Sequence, residues 1–151
     1  MHHITLVLMD KQHLMLRLLE ALMGIGFLIF ILFVVPLTEA GEMVIPLILI
    51  PTLLIVDGVL RAMVLKRGIV IDTREGVFIY PKSYRRKSIK LSHITSVYPS
   101  KTLHSGAQAG TTTYTYDLNL KGDFGNETVI FSSKEARDKV FHAINTHKKK
   151  V

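Results

Sequence analysis

The order of hydrophobic and polar residues divides the chain into two parts near residue 66. Before that point, two long apolar runs at about residues 14–37 and 43–65 are separated by a short polar break at residues 38–42. After it, apolar residues occur in short alternating runs between turn-forming residues. This pattern predicts a helical hairpin followed by a domain rich in β-strands.

Each apolar run is long enough to cross a lipid bilayer as a helix. A helix rises about 1.5 Å per residue, and the hydrocarbon core is about 30 Å thick. The alternative is a buried helical pair in a soluble core, but neither run has the polar stripe that a surface helix of a small soluble protein needs. We therefore predict a transmembrane hairpin after an N-terminal segment, residues 1–13, which lacks the basic region and cleavage site of a secretory signal.

The charges around the hairpin predict its orientation. Lysine and arginine residues lie at its two outer ends, whereas the connecting turn carries only the acidic residues Glu39 and Glu42. Basic residues are enriched on the cytoplasmic side of membrane helices, so both chain termini are expected in the cytoplasm. The basic residues concerned are Lys11, Arg17, Arg61, Lys66 and Arg67.

Four ionisable residues lie near the predicted cytoplasmic ends of the two helices: Arg17, Glu20, Asp57 and Arg61. Glu20 and Arg61 are almost equally far from the turn, which favours an ion pair across the hairpin. Asp57 and Arg61 also have the favourable i, i+4 spacing within one helix. The alternative is a path for ions or protons, because charged residues in membrane helices often have mechanistic roles. Their interfacial position favours ion pairs that anchor the helices.

The second part of the chain alternates with the period of two that is typical of half-buried strands. In the longest run, Tyr114, Tyr116 and Leu118 face one way, and the polar residues between them face the other. This alternation indicates an antiparallel sheet with one buried face. Strands are predicted at residues 68–72, 77–80, 87–91, 94–98, 112–121 and 127–132.

The period changes after residue 132, where the sequence predicts a C-terminal helix. Ser132 and Glu135 have the spacing of a capping box, in which the serine hydroxyl accepts from an early helix N–H and the glutamate reaches back. The helix is expected to end at about His147, before a basic tail at residues 148–151. Its apolar face comprises Ala136, Val140, Ala143 and Ile144.

Several stretches of this second part carry a family resemblance. They are Gly-Ile-Val-Ile-Asp at residues 68–72, Val-Phe-Ile-Tyr at 77–80, the basic Tyr-Arg-Arg-Lys at 84–87, and residues 88–97, which end in an Ile-x-x-Val pattern. With the preceding hairpin and the single final helix, residues 45–147 resemble the membrane-anchored branch of the bacterial pleckstrin-homology-like domain family. The resemblance implies a bacterial inner-membrane protein whose residues 66–147 form a bent antiparallel barrel or sandwich, closed by the final helix. It implies no common catalytic residues.

The charge of the chain is not spread evenly. The chain has 151 residues, a formal net charge of +7 and 48% hydrophobic residues. Residues 1–65 carry a balance of −2, and residues 66–151 carry a balance of +9. The clearest candidate surface for anionic lipid or a protein partner is a basic cluster, and a solvated positive face fits the same residues. The cluster comprises Lys82, Arg85, Arg86, Lys87 and Lys90.

Residues 100–112 are mostly small and polar, and they predict a loop between two strands. One interpretation is a mobile connection. The sharper one is a partner-binding loop that becomes ordered against another subunit, with Lys101, His104 and Gln108 as its candidate contacts. The loop contains neither GK[ST] nor GxGxxG, so no phosphate-binding role is predicted.

No catalytic, metal or cofactor site is predicted. The chain has no cysteine, which excludes thiolate ligands and a cysteine nucleophile. Its seven histidines form neither HExxH nor another compact ligand set. The basic domain lacks helix-turn-helix and aromatic RNA-binding signatures, so no specific nucleic acid or small-molecule substrate is expected. The histidines are His2, His3, His13, His93, His104, His142 and His147.

The sequence therefore favours a non-catalytic inner-membrane protein. Its cytoplasmic domain is expected to be an adaptor, scaffold or accessory subunit of a larger membrane assembly, in contact with membrane lipids and with a protein partner or a second copy. The alternative is an oligomeric transport or channel component that uses the charged residues at the helix ends. Two helices cannot enclose a pathway, so this alternative requires a partner or several copies.

Overall fold

The computed structural model describes residues 5–34, 41–105 and 112–148 of the chain. The chain divides into two compact units, one formed by Lys11–Arg67 and the other by the segments on either side of it. We call them the helical unit and the β unit. The β unit therefore contains residues from both before and after the helices.

The helical unit contains α1 at Lys11–Val34, a short 3-10 turn at Gly41–Met43 and α2 at Val44–Lys66. Both helices are long and apolar enough to span a membrane, and only 17% and 11% of their most apolar stretches are buried within the structure. A core helix of a soluble protein is mostly buried instead. Helix α1 begins three residues earlier than predicted, because its first turn is polar and escapes a hydrophobic pattern. Residues 35–40, which include Glu39 of the predicted turn, lie outside the described residues.

Helices α1 and α2 pack against each other through small residues. A Cβ atom placed on Gly24 would lie 2.9 Å from the carbonyl oxygen of Pro51, and one placed on Gly58 would lie 2.8 Å from that of Arg17. These contacts join the middle and start of α1 to the middle and end of α2, so the helices are antiparallel. A Cβ atom on Gly26 would meet no heavy atom of the described residues within 4 Å. The close approach of the helices thus depends on Gly24 and Gly58.

The first sheet of the β unit is antiparallel and has the strand order β1-β2-β3-β4. Its strands are β1 at Thr5–Leu8, β2 at Ile69–Asp72, β3 at Val77–Lys82 and β4 at Arg85–Lys90. Leu8 of β1 lies opposite Ile69 of β2, although the whole helical unit separates them in sequence. The prediction of a separate N-terminal segment at residues 1–13 is therefore corrected, because β1 is a strand of this sheet. A run of four residues is too short to indicate which distant strand it joins.

Gly68 permits the close approach of β1 to the start of β2. It has a positive φ of 62°, and a Cβ atom at this position would lie 2.5 Å from the carbonyl oxygen of Leu8. Glycine adopts this backbone conformation far more readily than other residues. A larger residue would therefore strain the backbone at this point and push β1 away.

The second sheet is also antiparallel, with the strand order β5-β6-β7. Its strands are β5 at Ile94–Ser105, β6 at Thr112–Gly122 and β7 at Gly125–Phe131. The predicted loop at residues 100–112 is wrong in its first half, because β5 continues to Ser105 in register with β6. Strand β7 pairs with β6 only from Tyr116 to Gly122. Residues 101–105 and 112–115 thus form a two-stranded extension, which we call the arm, and residues 106–111 lie outside the described residues.

The core of the β unit lies between the two sheets and α3, which runs from Lys134 to Lys148. Helix α3 contacts strands of both sheets and buries Val140 and Ile144 completely. The β unit is thus a mainly β structure of two antiparallel sheets and a C-terminal helix, and its two sheets remain separate within the described residues. The largest side chains that the strands bury completely are those of Ile71, Phe78, Tyr80, Leu118, Leu120 and Phe131.

Helix α3 begins one residue later than the capping box predicts. Ser133 caps it, since its Oγ accepts a hydrogen bond from the N–H of Ala136 at 3.2 Å. Ser132 instead donates its hydroxyl to Asp10 at 2.8 Å and its backbone N–H to the same carboxylate at 3.1 Å. The predicted capping role of Ser132 is therefore corrected: a carboxylate from the N-terminal segment, distant in sequence, binds its hydroxyl. Of the predicted basic tail, Lys148 ends α3, and residues 149–151 lie outside the described residues.

Candidate interaction surfaces

The predicted basic cluster does not form one exposed patch. Successive side chains of β4 point to opposite faces, so Arg85 and Lys87 share one face, and Arg86 and Lys90 share the other. At about 3.3 Å per residue, Arg85 and Lys90 are about 17 Å apart along the strand. Lys82 lies opposite Arg85 across the β3–β4 turn. The five cations are therefore distributed over two strands, and those of β4 lie on both faces and at both ends of that edge strand.

Two of the five cations bind the carboxylate of Glu127 on β7. The Nζ atom of Lys82 lies 2.7 Å from Oε2 of Glu127, and the Nζ atom of Lys87 contacts Oε1. The Tyr80 hydroxyl donates to Oε2 at 3.0 Å. The Glu127 side chain is only 11% exposed, whereas that of Lys82 is 53% exposed. We call Tyr80, Lys82, Lys87 and Glu127 the Glu127 cluster, which links the first sheet to the second.

The pKa values within the Glu127 cluster reflect this arrangement. Hydrogen bonds from Lys82 and Lys87 stabilise the ionised carboxylate and lower the pKa of Glu127 to about 2. Burial, reinforced by the hydrogen bond to Glu127, raises the pKa of Tyr80 above its ordinary value. Tyr80 therefore remains a neutral hydrogen-bond donor, and Glu127 remains an anion over the physiological range.

The side chain of Arg86 binds the main chain at the start of β2. Its Nη2 atom donates to the carbonyl oxygen of Gly68 at 3.2 Å, at the point where the chain enters β2. Its Nε atom is buried without a hydrogen-bond partner among the described residues. Arg85, Lys90 and the neighbouring Tyr84 are exposed to solvent. Among the five predicted cations, Arg85 and Lys90 thus remain the most available to a ligand.

The β3–β4 turn lies at the end of the first sheet where β1 ends and β2 begins. Because the sheet is antiparallel, the end of β1 at Leu8, the start of β2 at Ile69, the end of β3 at Lys82 and the start of β4 at Arg85 all lie together. Leu8 and Ile69 are the strand residues next to the helical unit in the sequence. Lys90 lies at the opposite end of β4. The two exposed cations of β4 therefore occupy different ends of the sheet.

The candidate partner loop is largely the arm. Nζ of Lys101 lies 3.5 Å from the centre of the Tyr114 ring, a cation–π contact. His104 lies on the other face, where its Nε2 is 3.1 Å from Oγ1 of Thr115. Leu103 and Tyr114 are cross-strand neighbours, 56% and 47% exposed. The third predicted contact, Gln108, lies outside the described residues.

Two charged residues of the β unit are buried, although the sequence pattern does not indicate it. Asp117 on β6 is 7% exposed, and although it accepts a hydrogen bond from Thr102, its Oδ1 atom has no hydrogen-bond partner among the described residues. Arg137 on α3 is bound to Asp138 and donates to the carbonyl oxygen of Ser100 at 2.8 Å. Both occur among residues that look polar and exposed by periodicity, so only the tertiary structure reveals their burial.

The four ionisable residues predicted near the cytoplasmic helix ends form ion pairs within each helix. Nη1 of Arg17 lies 2.6 Å from Glu20, and Nε of Arg61 lies 3.0 Å from Asp57. Each pair joins a cation and an anion three or four residues apart. Each helix therefore carries one ion pair without net charge. This fits the interpretation that the pairs anchor the helices.

The described residues contain no group of three His, Asp or Glu side chains that could hold a metal ion. A shallow, mainly apolar groove of about 660 Å³ lies between Leu6 of β1 and one face of α3. The chain matches no protein-family model, no curated protein and no solved structure with which it was compared. The function must therefore be argued from the geometry of these surfaces.

Proposed function

We propose that this chain is a non-catalytic, multi-pass protein of a bacterial inner membrane. In this proposal α1 and α2 span the bilayer, both termini lie in the cytoplasm, and the β unit is a pleckstrin-homology-like domain. The β unit acts as an adaptor, scaffold or accessory subunit of a larger membrane assembly, and one end of its first sheet contacts anionic lipid. Within the described residues, its seven strands followed by one helix that contacts both sheets support the domain assignment.

The pairing of β1 with β2 is the observation that carries this proposal. The two strands belong to one folded unit, yet the two apolar helices lie between them in sequence. A chain that leaves a domain and returns to it crosses the bilayer an even number of times, and two helices of spanning length meet this condition. Removal of α1 as a signal peptide would also remove β1 from its sheet. Membrane anchoring with both ends on one side therefore accounts for the strand order.

The exposed faces of the helices support the same proposal. Large apolar side chains cover their outer surfaces, and Phe33 is 85% exposed. A soluble protein rarely leaves so large a continuous apolar surface in water. In a bilayer the same surface contacts lipid chains, while the lysine and arginine residues at the outer ends satisfy the charge bias of cytoplasmic flanks.

Single-cysteine labelling tests the topology without background, because the chain has no cysteine of its own. Glu42→Cys lies in the short turn before α2, and Ser88→Cys lies on β4. In intact cells we expect an impermeant maleimide to label Glu42→Cys and not Ser88→Cys, and in inside-out vesicles the reverse. Labelling of both positions from one side, or release of the protein by alkaline carbonate, would contradict the proposal.

The lipid contact is assigned to the β3–β4 turn. Tyr84 and Arg85 are exposed there, and only two residues separate that end of the sheet from each helix along the chain. Each Lys or Arg close to an anionic leaflet contributes about 1 kcal/mol, and tyrosine is favoured at the membrane interface. Lys82 and Lys87 form ion pairs with Glu127. We therefore assign the lipid contact mainly to Arg85.

Two substitutions on one strand test this contact. An environment-sensitive dye on Ser83→Cys in nanodiscs should change its fluorescence as phosphatidylglycerol replaces phosphatidylcholine. Arg85→Gln should reduce the change severalfold, whereas Lys90→Gln, at the other end of β4, should leave it intact. Equal effects of the two substitutions would indicate a general charge effect and overturn the assignment.

The adaptor role is tested by copurification from native membranes in mild detergent after brief crosslinking. We expect a different protein at a fixed stoichiometry to this chain, and recovery of this chain alone would contradict the adaptor role. The ion pairs within α1 and α2 leave the transport alternative without a specific supporting observation.

A further inference from the structure

One face of the arm carries exposed apolar side chains beside a cation. Leu103 of β5 and Tyr114 of β6 are cross-strand neighbours on this face, and they are 56% and 47% exposed. Lys101 lies on the same face, with its Nζ atom 3.5 Å from the centre of the Tyr114 ring. Leu118 and Phe131 continue this face into the buried core. The core face of the second sheet thus extends beyond the end of β7, where its large apolar side chains are exposed.

The residue types on this face fit an anionic lipid surface. Residues 101–115 contain no Asp or Glu, and Asp117, the next carboxylate along β6, lies on the opposite face. The positive charge of Lys101 therefore has no anion beside it on the arm. At a membrane surface tyrosine lies at the level of the headgroups, and lysine keeps its ammonium group among the phosphates while its stem contacts apolar chains. A cytoplasmic leaflet with anionic lipids attracts such a lysine.

The arm leaves the β unit next to the point at which the chain enters α1. Phe131, the last residue of β7, pairs with Tyr116 at the base of the arm. The following residue, Ser132, binds the carboxylate of Asp10 at 2.8 and 3.1 Å. Asp10 directly precedes α1 along the chain. In the proposed topology α1 begins at the cytoplasmic leaflet, so the base of the arm lies close to this leaflet. This position favours lipid over a protein as the partner of the exposed face.

We propose that this face of the arm docks on the anionic cytoplasmic leaflet, with Leu103 and Tyr114 in the interface and Lys101 bound to lipid phosphate groups. The arm extends four residues of β6 past Tyr116. At 3.3 Å per residue this is about 13 Å. The headgroup layer of one leaflet is about 5 to 8 Å thick, so the arm is long enough to cross it while its base stays in the cytoplasm. This contact is separate from that of Arg85, which lies on the first sheet.

Quenching by lipid tests this contact in nanodiscs that hold one copy of the purified chain and equal parts of phosphatidylglycerol and phosphatidylcholine. A fluorescent dye on Leu103→Cys should be quenched by a phosphatidylcholine that carries a nitroxide near its headgroup. The matched control is the same dye on Ile130→Cys, because Ile130 is 54% exposed on the opposite face of the sheet. It should be quenched at least threefold less.

Two outcomes of the quenching experiment would overturn the proposal. One is equal quenching at positions 103 and 130. The other is a dye at position 103 that is shielded from aqueous iodide but not quenched by the lipid nitroxide, since this would indicate contact with protein. One copy per nanodisc removes a second copy and other proteins as causes of a positive result.

Neutralising Lys101 tests the anionic part of the contact. Lys101→Gln should reduce quenching at position 103 at least twofold, and replacing phosphatidylglycerol by phosphatidylcholine should have the same effect. Lys121→Gln, which removes an exposed cation from the opposite face of β6, should not. The melting temperature of each variant shows whether it is folded. A folded Lys101→Gln variant with undiminished quenching would also overturn the proposal.

This inference rests on the proposed function, because it requires α1 to span the membrane. The labelling of Glu42→Cys and Ser88→Cys separates the two failures. If that labelling shows the expected topology and position 103 is not quenched, the docking of the arm is wrong and the proposed function stands. If the labelling contradicts the topology, both are wrong.

Discussion

The helical unit and the β unit place small and large side chains in opposite ways. In the helical unit, Gly24 and Gly58 lie in the contact between helices, and Phe33 is 85% exposed. In the β unit, Phe78 is completely buried in the core. The hydrophobic effect explains the second arrangement, because it removes large apolar side chains from water. The first arrangement suits lipid, where close packing between small residues joins helices.

Two phenylalanines test this comparison most strongly. Phe78→Ala should destabilise the β unit by about 3 to 5 kcal/mol, because it leaves a cavity in a packed core. Phe33→Ala should leave the stability of both units nearly unchanged. Protease resistance of the β unit during urea titration of the reconstituted protein measures both effects. A similar loss for the two variants would mean that the outer face of α1 is packed against protein rather than lipid.

Two glycines sharpen the comparison within the helical unit. Gly58→Leu should cost about 1 to 3 kcal/mol of helix association, because its side chain would meet the main chain of α1. Gly26→Leu is the matched control and should be tolerated, since a Cβ atom there meets no described neighbour. A disulfide between cysteines introduced into α1 and α2 reports the association. Tolerance of Gly58→Leu would show that the helices do not require this close approach.

The Glu127 cluster predicts a pH dependence of the stability of the β unit. The pKa of Glu127 is about 2 in the folded chain and about 4.5 in the unfolded chain, so the unfolded chain binds the proton first as the pH falls. The β unit should therefore lose stability between about pH 5 and pH 2. Glu127→Gln should remove much of this slope and cost about 1.5 kcal/mol at neutral pH. Urea titrations at several pH values measure both quantities.

Glu135 provides the control for Glu127. It also pairs with a lysine, Lys139 at 2.7 Å, but its side chain is 78% exposed. Solvent screens such a pair, so Glu135→Gln should leave the acid slope almost unchanged. If both variants lost the acid slope equally, the pH dependence of stability would not come from the buried position of Glu127.

The smallest effect is expected for the charged residues of the helices. Asp57 pairs with Arg61 within α2, and we expect Asp57→Asn to leave membrane insertion unchanged. Proteoliposomes with either protein should show no ion or proton flux above that of empty vesicles. Flux in the wild type that Asp57→Asn abolishes would instead favour the transport alternative.

The sequence predicted best what depends on neighbouring residues. The two apolar runs predicted α1 and α2, and the spacing of Asp57 and Arg61 predicted their ion pair. Alternation predicted β2 and β3, because both strands have one buried face. These features depend on residues within one or two helical turns or within one strand, so a local pattern contains them.

The sequence predicted least well what depends on distant residues. Glu127 lies 40 residues from Lys87 and 47 from Tyr80, and no local pattern joins them. One signal was present: Lys82 alternates with Phe78 and Tyr80, so it lies at the end of the strand face that is otherwise buried. A lysine at the rim of such a face can pair with an anion of a neighbouring strand. The capping role assigned to Ser132 was wrong for a similar reason, because its partner Asp10 is 122 residues away.

The pairing of β1 with β2 also constrains the order in which the protein is made and folded. The ribosome synthesises β1 first, and residues 9–68 must follow before its partner strand exists. Closing a loop of that length costs entropy, and prior association of α1 with α2 brings Arg17 and Gly58 together and shortens the loop that remains. The nascent first strand must therefore stay unpaired until both helices have been synthesised. Association of the helices beforehand then lowers the entropic cost of completing the first sheet.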